Sequence, residues 1–274
     1  MNCRQTRQFL IPIQRKNQLA ALPKLQSSSR SQATGRKMVT ADALTHKSTD
    51  ELKQELIDRV RDRDGEALGK KVAFAKTELM PWFDELSRRN PFPNAIDQID
   101  LVVGVWSPVW STIPFQDIFP GRIYEQSYQI FQANGYYANM ARYAPGQLPL
   151  LKRFIEKLVA YDFMILQKFE VRSEQWFIQN IGIQQGFRLN MKPLSIEKAQ
   201  AWFESAVQKQ LAKGEANTTP DFQKLDQSTA KKYEKIFQAT PQLKHLYIDR
   251  DFRLVKTQRE AKQRPSYTIA VRKT

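Results

Sequence analysis

The sequence predicts an α+β protein in which an antiparallel β-barrel or sandwich follows a helical hairpin. Past Pro93, short aromatic and β-branched segments alternate with turn residues, and they show neither βαβ alternation nor an internal repeat. A helical period precedes them, and a second helical pattern interrupts them at about 194–238 before the last strands. Closing the sheet into a barrel would remove its exposed edges.

Composition limits the kinds of site that the chain can hold. Its 274 residues include one cysteine, Cys3, and two histidines, so we expect no disulfide framework, no metal site and no bound cofactor. No apolar run reaches the length of a membrane-spanning helix. The formal charge is +15 and the isoelectric point about 9.8, which invites a nucleic-acid-binding hypothesis.

The basic residues are concentrated at the two ends of the chain. Residues 1–37 carry eight Lys or Arg and no acid, and residues 252–274 carry seven against the single acid Glu260. We interpret residues 1–37 as a disordered basic tail, either a transit peptide or residues ahead of a true start at Met38. Such a distribution suits an anionic lipid surface at least as well as a nucleic-acid groove.

Residues 38–95 are predicted to form helices that pack on the barrel. Ser48 and Glu51 have the spacing of a capping box, and Leu52, Leu56 and Val60 then share one helical face. A second helical stretch follows, and Pro81 is expected to break or restart it.

Residues 96–274 are assigned to the barrel, whose first strand is predicted in IDLVVGVWSPVWS, residues 99–111. Gly104 would let the chain pass closely, while Trp106 closes one end of the barrel. Arg253 on a late strand is the candidate cation–π partner of Trp106. In HLYIDRDFRL, Asp249 and Asp251 are expected to form a hairpin turn between two strands that close the barrel, without a catalytic role.

These segments resemble the plastid lipid-associated protein (PAP/fibrillin) family. The resemblance rests on Asn90-Pro91 with Pro93, the strand from Gly104 to Trp106, RIYEQSYQ, and YYANMARY with Asn139. It is sharpest in LYIDRDFRL, which is similar to the family signature Tyr–x–Asp–x–Asp–hydrophobic–Arg and begins here at Tyr247. From about Thr49 to Lys273, the resemblance implies a lipocalin-like barrel that binds lipids or prenylquinones at thylakoids or plastid lipid globules. In a cyanobacterium the implied location is the cytoplasmic face of the thylakoid.

A barrel of about eight strands has room for one small hydrophobic ligand such as a quinone or a carotenoid. An aromatic core without any ligand is the alternative. We favour Tyr124 and Tyr128 facing inwards. The aromatic candidates for the barrel lining are Trp106, Trp110, Tyr124, Tyr128, Tyr137, Phe169 and Trp176.

The loop IPFQDIFPG follows the first strand and is rich in apolar residues. It is expected either to contact a membrane or to fold over the barrel as a lid. Its apolar members are Ile113, Phe115, Ile118 and Phe119.

Catalytic signatures such as GxSxG, GxxxxGK[ST] and HExxH are absent from the sequence. The first hypothesis is therefore a non-enzymatic lipid-binding protein at a membrane surface, with a protein partner for the helical insertion left open. A tetrapyrrole lyase on the same barrel is the alternative, and it would need Glu125, Glu170 or Glu174 inside the barrel. A nucleic-acid-binding module is the third hypothesis. His46 and His245 lack partners at a spacing that suggests catalysis.

Overall fold

The computed structural model of the protein describes residues 41–114, 121–144, 160–188, 192–213, 241–258 and 263–273. Each strand pairs antiparallel with the next along the chain, and the last strand pairs with the first. The antiparallel barrel is therefore confirmed, and its closure gives every strand a neighbour on both sides over at least part of its length. Its strands are β1 Gly104–Ser111, β2 Arg122–Phe131, β3 Tyr136–Tyr143, β4 Ala160–Arg172, β5 Gln175–Arg188, β6 Gln242–Ile248, β7 Phe252–Gln258 and β8 Ser266–Lys273.

Helices α1 Ala41–Thr45, α2 Thr49–Val60, α3 Leu68–Phe74 and α4 Met80–Arg88 precede the barrel. The capping box at the start of α2 is confirmed, since the Ser48 hydroxyl accepts from the Glu51 N–H and the Glu51 carboxylate accepts from the Ser48 N–H.

Pro81 restarts the second helical stretch, which is one of the two outcomes expected from the sequence. A π-helical turn at Ala75–Leu79 joins α3 to α4, and Pro81 falls in the first turn of α4. A proline is tolerated in that first turn, because its missing N–H lacks a partner there in any case.

The prediction that the first strand begins near residue 99 is wrong. A 3-10 turn at Ile96–Gln98 and helix α5 Ile99–Val102 occupy this segment, and β1 begins at Gly104. Helical geometry lets Val102 pack against Trp106, while the Trp106 indole N–H donates to the Val102 carbonyl at 2.7 Å. The segment thus closes one end of the barrel instead of extending its wall.

Two groups of helices cover the outer surface of the barrel. Helices α1 to α4 form a hydrophobic cluster with outward residues of β1 and β6 to β8, among them Trp110, Leu254 and Ile269. Helix α6, Ile196–Lys213, packs through Ala199 and Phe203 on the outer face of β1 to β5. The spacing of four residues places these two on one helical face.

A buried carboxylate links the N-terminal segment to the barrel. Asp64 is 6% exposed, accepts from the Ser111 N–H at 2.8 Å and forms an ion pair with Arg122 of β2. Lys71 of α3 is also buried, and its ammonium donates to the Asp64 carbonyl at 2.8 Å. Burying these charges is tolerable because the Asp64 carboxylate lies between two cations and each group is hydrogen-bonded.

The helical insertion is described only in its first part, as α6. The rest of the predicted insertion to residue 238 and the basic tail 1–37 lie outside the described residues. No helix in the described ranges is long and apolar enough to cross a membrane.

The contact between β5 and β6 is much shorter than that between β4 and β5. β4 and β5 pair along their whole length, from Ala160–Arg188 to Arg172–Gln175. In the register of β5 with β6, only Trp176 pairs with Leu243 and Phe177 with Gln242. The later half of β5 therefore has a described strand partner on one side only.

Candidate ligand-binding site

A stack of aromatic rings fills one end of the barrel interior. Phe131 and Tyr137 face each other across β2 and β3 with ring centroids 4.0 Å apart, and Phe169 contacts Phe131 edge-on at 5.6 Å. Trp176 continues the stack from β5, 5.2 Å from Phe169. Offset and edge-on pairs of this kind stabilise a core beyond the area they bury.

The contact predicted between Arg253 and Trp106 is confirmed. The Arg253 guanidinium carbon lies 5.0 Å from the Trp106 ring centroid and 4.7 Å from that of Phe131. Arg272 lies 4.2 Å from the same indole ring. The fully buried Trp106 thus closes this end of the barrel between two guanidinium groups.

Gly104 allows the close approach that the sequence suggested. Its φ is +122°, and a Cβ built at this position would lie 2.6 Å from an Arg272 guanidinium nitrogen. That guanidinium donates to the carbonyls of Val103, at 2.7 Å, and Leu101. Only glycine satisfies both the backbone angle and the available space.

The proton on His245 is fixed by its neighbour. Gln98 donates its amide N–H to the Phe92 carbonyl at 2.7 Å, so its oxygen faces the Trp176 indole N–H at 2.9 Å and His245 Nδ1 at 2.8 Å. An amide oxygen only accepts, so Nδ1 carries the proton. Burial and the Arg253 charge hold the pKa of His245 well below its usual range, and the ring is therefore neutral near pH 7.

A cavity of about 170 Å³ occupies the other part of the interior. Its walls combine apolar side chains with a group of amides. The apolar lining includes Ala141, Tyr143, Phe163, Ile165, Ile178 and Leu243.

The amides form a hydrogen-bonded row across the cavity floor, which we call the amide row, made of Gln129, Asn139, Gln167 and Asn180. Gln129 Nε2 donates to Asn139 Oδ1 at 2.9 Å. Asn139 Nδ2 then donates to Gln167 Oε1, and Gln167 Nε2 to Asn180 Oδ1, both at 2.6 Å. All four residues line the cavity, and the row crosses strands β2 to β5.

Two further polar groups join the amide row. The Tyr137 hydroxyl donates to Asn139 Oδ1 at 2.7 Å, and Arg253 donates to Gln129 Oε1 from across the barrel. Burial raises the pKa of Tyr137 to about 12, so its hydroxyl keeps its proton. Burial lowers the pKa of Arg253 to about 10, and the guanidinium is still charged at neutral pH.

Three of the residues predicted to line the barrel lie elsewhere. Trp110 belongs to the outer cluster under the N-terminal helices, because β1 has a register shift between Pro108 and Trp110 that reverses the inward side. Tyr124 is 36% exposed and lies in the irregular stretch of β2 between Ile123 and Ser127.

The inward assignment of Tyr128 is also wrong for most of the side chain. Tyr128 borders the cavity, but it packs in the cluster with α6 and donates its hydroxyl to the Leu194 carbonyl at 2.9 Å. The inward face of β2 carries Ser127, Gln129 and Phe131. Helix α6 buries the opposite face of β2, so both faces of this strand carry apolar residues. The alternation of polar and apolar residues along its sequence is therefore weak.

The remaining aromatic candidates divide between the two parts of the interior. Tyr137 lines the cavity, whereas Trp106, Phe169 and Trp176 form the closed end. From the lid loop, Ile113 lines the cavity. Phe115, Ile118 and Phe119 lie outside the described residues.

The hairpin between β6 and β7 is a structural turn, as expected. The Asp249 carboxylate accepts from the N–H groups of Asp251 and Phe252, at 2.9 and 2.8 Å. It also accepts from the Tyr247 hydroxyl at 2.8 Å and from Lys53 of α2 at 2.6 Å. Tyr247 and Asp249 therefore fix the hairpin against the N-terminal helices.

The three carboxylates proposed for a lyase reaction do not enter the interior. Glu125, Glu170 and Glu174 are all exposed, and Glu174 accepts from the Ala95 N–H at 2.9 Å. His46 is exposed as well. The described residues contain no group of three or more His, Cys, Asp or Glu that could hold a metal ion.

The sequence did not point to three members of the amide row, Gln129, Gln167 and Asn180, because polar residues on strands are usually assigned to the solvent side. The alternation of inward and outward side chains along the strands did indicate their position, however. Gln129 stands two residues before Phe131, and Gln167 two before Phe169, so each amide shares a face with an inward aromatic ring.

The described residues thus define an eight-stranded antiparallel barrel with one aromatic closed end and a small internal cavity over an amide floor. Comparisons with family models, with curated proteins and with solved structures find no match for this chain.

Proposed function

We propose that the protein is a non-enzymatic binder of one hydrophobic small molecule, a lipid or prenyl-lipid, inside a lipocalin-like barrel. The observation that carries this proposal is the internal cavity, whose apolar walls stand over a small set of polar groups. Ligand pockets in proteins commonly combine apolar walls with a few placed polar groups that orient the ligand.

The size of the cavity restricts the ligand. A volume of about 170 Å³ is close to that of engineered cavities of about 150 Å³ that bind benzene. One ring with short substituents fits this space, whereas the length of a whole carotenoid exceeds it. A quinone with its ring in the barrel and its prenyl tail towards the outside is therefore the ligand class that we favour.

The resemblance to the PAP/fibrillin family supports the same function and adds a place for it. It implies a peripheral protein at a thylakoid membrane or a plastid lipid globule. The net charge of +15 is consistent with attraction to anionic lipid headgroups. No Asp or Glu of the described residues lines the cavity, which favours binding over acid–base chemistry.

Ligand content and cavity blocking together test the proposal. An organic extract of the purified protein, measured by mass spectrometry, should contain a quinone or related prenyl-lipid. Delipidated protein should bind a benzoquinone with a decyl tail, as followed by quenching of tryptophan fluorescence.

A substitution that fills the cavity should abolish this binding. Ala141 lines the cavity, and Ala141→Phe places a ring in it, whereas Ala73→Phe adds the same ring at an exposed position of α3. We expect loss of binding in the first variant only, with circular dichroism verifying that both fold. Equal binding by the two variants would place the ligand outside the barrel.

A further inference from the structure

We propose that the amide row selects a ligand whose buried end carries a neutral carbonyl oxygen. This inference rests on the proposed function, because it concerns the same cavity and names the group that enters it first. The direction of the hydrogen bonds, the charge behind the row and the depth at which each group lies all favour such a ligand.

The direction of the row is set by Arg253. A guanidinium can only donate, so the Gln129 oxygen must be the atom that faces Arg253, and the Gln129 nitrogen must face Asn139. The same orientation then passes to the next residues, with Asn139 Nδ2 facing Gln167 and Gln167 Nε2 facing Asn180. Every amide in the row thus accepts on the side nearer Arg253 and donates on the farther side.

The row retains donor capacity at the cavity surface. A primary amide nitrogen carries two hydrogens. Asn139 and Gln167 each use one of them within the row, and neither makes a second donation to a described residue. A buried N–H without an acceptor is unfavourable, so a ligand that supplies an acceptor oxygen is favoured at this position.

The positive charge behind the amide row also favours an acceptor oxygen on the ligand. Arg253 is 1% exposed, and among the described residues its guanidinium donates to Gln129 while its Nε and Nη1 have no hydrogen-bond partner, so no carboxylate pairs with it. The Arg272 guanidinium also contacts the Trp106 ring, so a second positive charge lies near this end of the barrel. Two guanidinium groups beneath the floor favour the negative end of a carbonyl dipole pointing down.

A neutral carbonyl fits this arrangement better than a carboxylate. The amides line the cavity, whereas the Arg253 guanidinium lies behind Gln129 at the closed end. A ligand therefore meets amide N–H groups and not the guanidinium itself. A carboxylate would lose its hydration on entering the cavity and would gain no direct ion pair with the guanidinium in exchange.

A matched pair of probes tests this preference. Acetophenone and cumene have one ring and the same number of heavy atoms, and they differ in whether a carbonyl oxygen or a methyl group is present. Calorimetric titration gives both dissociation constants for the wild type and for Gln167→Met, which removes one donor at similar volume. Comparing ratios cancels the different partitioning of the two probes from water.

We expect Gln167→Met to weaken acetophenone relative to cumene by about two- to tenfold, the value of one ordinary hydrogen bond. Gln179→Met is the control, because Gln179 is exposed and only one residue from Asn180 on β5. It should leave the ratio unchanged. Asn139→Leu provides a second test if the first variant does not fold, and the same relative loss is expected.

The outcomes separate the inference from the proposed function. If both probes bind and their ratio is the same in the wild type and in the amide variants, the carbonyl preference is wrong while the binding function stands. Tighter binding of benzoate than of acetophenone would likewise overturn the preference. If neither probe nor the decyl quinone binds the wild type, the proposed function itself fails.

Discussion

Asp249 is the residue on which the terminal hairpin depends, whereas Asp251 has a smaller part. Four hydrogen bonds converge on the Asp249 carboxylate, two of them from backbone N–H groups of the turn. The side chain of Asp251 makes no hydrogen bond or ion pair in the described structure, and its backbone carbonyl accepts from the Arg272 N–H. The two aspartates of one motif therefore differ in structural importance.

We expect Asp249→Ala to lower the free energy of unfolding by about 2–3 kcal/mol, because it leaves several partly buried donors without an acceptor. Asp251→Ala is the matched control and should change it by less than about 0.5 kcal/mol. Urea denaturation of both variants measures the difference. Equal effects of the two substitutions would show that the turn does not depend on the Asp249 bonds.

The pH dependence of Asp249 follows from its surroundings. Burial acts to raise its pKa, but the bonds from Lys53, the backbone and Tyr247 outweigh burial and hold the pKa below its usual value. The unfolded chain then binds a proton at higher pH than the folded one. The stabilisation is present above the unfolded pKa of about 3.9 and is lost as pH falls through the lower folded pKa.

The stability difference between wild type and Asp249→Asn should therefore shrink between about pH 5 and pH 2. Thermal or urea unfolding across this range, with the variant as reference at each pH, isolates the contribution of this one group. A difference that stays constant with pH would contradict the prediction.

Gly104 and Gly69 make opposite predictions for the same substitution. Gly104→Ala should destabilise the protein by about 2 kcal/mol or more, because φ is +122° and the new methyl group meets Arg272. Gly69→Ala should stabilise it by about 0.5–1 kcal/mol, because Gly69 lies in α3 and nothing approaches its Cβ position within 4 Å. Melting temperatures of the two variants should move in opposite directions.

Whether a strand residue points into or out of the barrel was harder to predict than which residues contact each other. The pairing of Trp106 with Arg253 followed from the motif, since it depends only on the two strands being in one barrel. The inward assignment of Trp110 failed at a β-bulge, where one extra residue reverses the side of everything after it. The local indication was Pro108, because a proline inside a strand marks a bulge or an edge, and alternation alone does not show this.

Among the elements, the contact of β5 with β6 stands out as the weakest part of the barrel wall. Pairing in the described strands ends after Trp176 and Phe177, although β5 continues to Arg188. The N–H of Ile178 still reaches the Pro241 carbonyl at 3.2 Å. Along residues 180–188, the backbone groups that face away from β4 have no partner strand among the described residues.

We expect hydrogen exchange to alternate along residues 180–188. Amides that point towards β4 should be protected, and those that point away should exchange faster, because exchange depends on a closed hydrogen bond. Residue-resolved exchange measured by NMR tests this, with the central residues of β4 as the fully protected reference. Uniform protection to Arg188 would mean that β5 has a second partner along its whole length.

The helices were easier to predict than the strands. The capping box and the repeat of Leu52, Leu56 and Val60 fixed α2, because these signals are local in sequence. The faces of β2 were misassigned because α6, more than 60 residues away in sequence, makes its outer face apolar. Tertiary contacts of that kind are not visible in a strand's own residues.

For the molecule as a whole, the distribution of charge predicts how it would bind an anionic membrane surface. Residues 1–37 contribute eight of the basic residues and no acidic ones. Each basic residue near an anionic leaflet contributes on the order of 1 kcal/mol. A chain that begins at Met38 keeps the whole described barrel and a net charge of +7 from the total of +15.

The full chain should bind vesicles of phosphatidylcholine with added phosphatidylglycerol more tightly than the chain from Met38 does. Binding should weaken as salt is added, because the attraction is electrostatic. Sedimentation with vesicles measures it, and pure phosphatidylcholine vesicles are the control. Equal binding of both chains, or no dependence on phosphatidylglycerol, would contradict a charge-driven surface contact.

The amide row joins opposite walls of the barrel, since Arg253 on β7 reaches Gln129 on β2 and the row continues to Asn180 on β5. It therefore acts as a stop at a fixed depth. In a series of quinones with successively longer tails, each added CH₂ should strengthen binding by up to about 0.8 kcal/mol only while it is still inside the cavity. Beyond the rim, affinity should become independent of tail length, so the protein would recognise the head of its ligand and tolerate any tail.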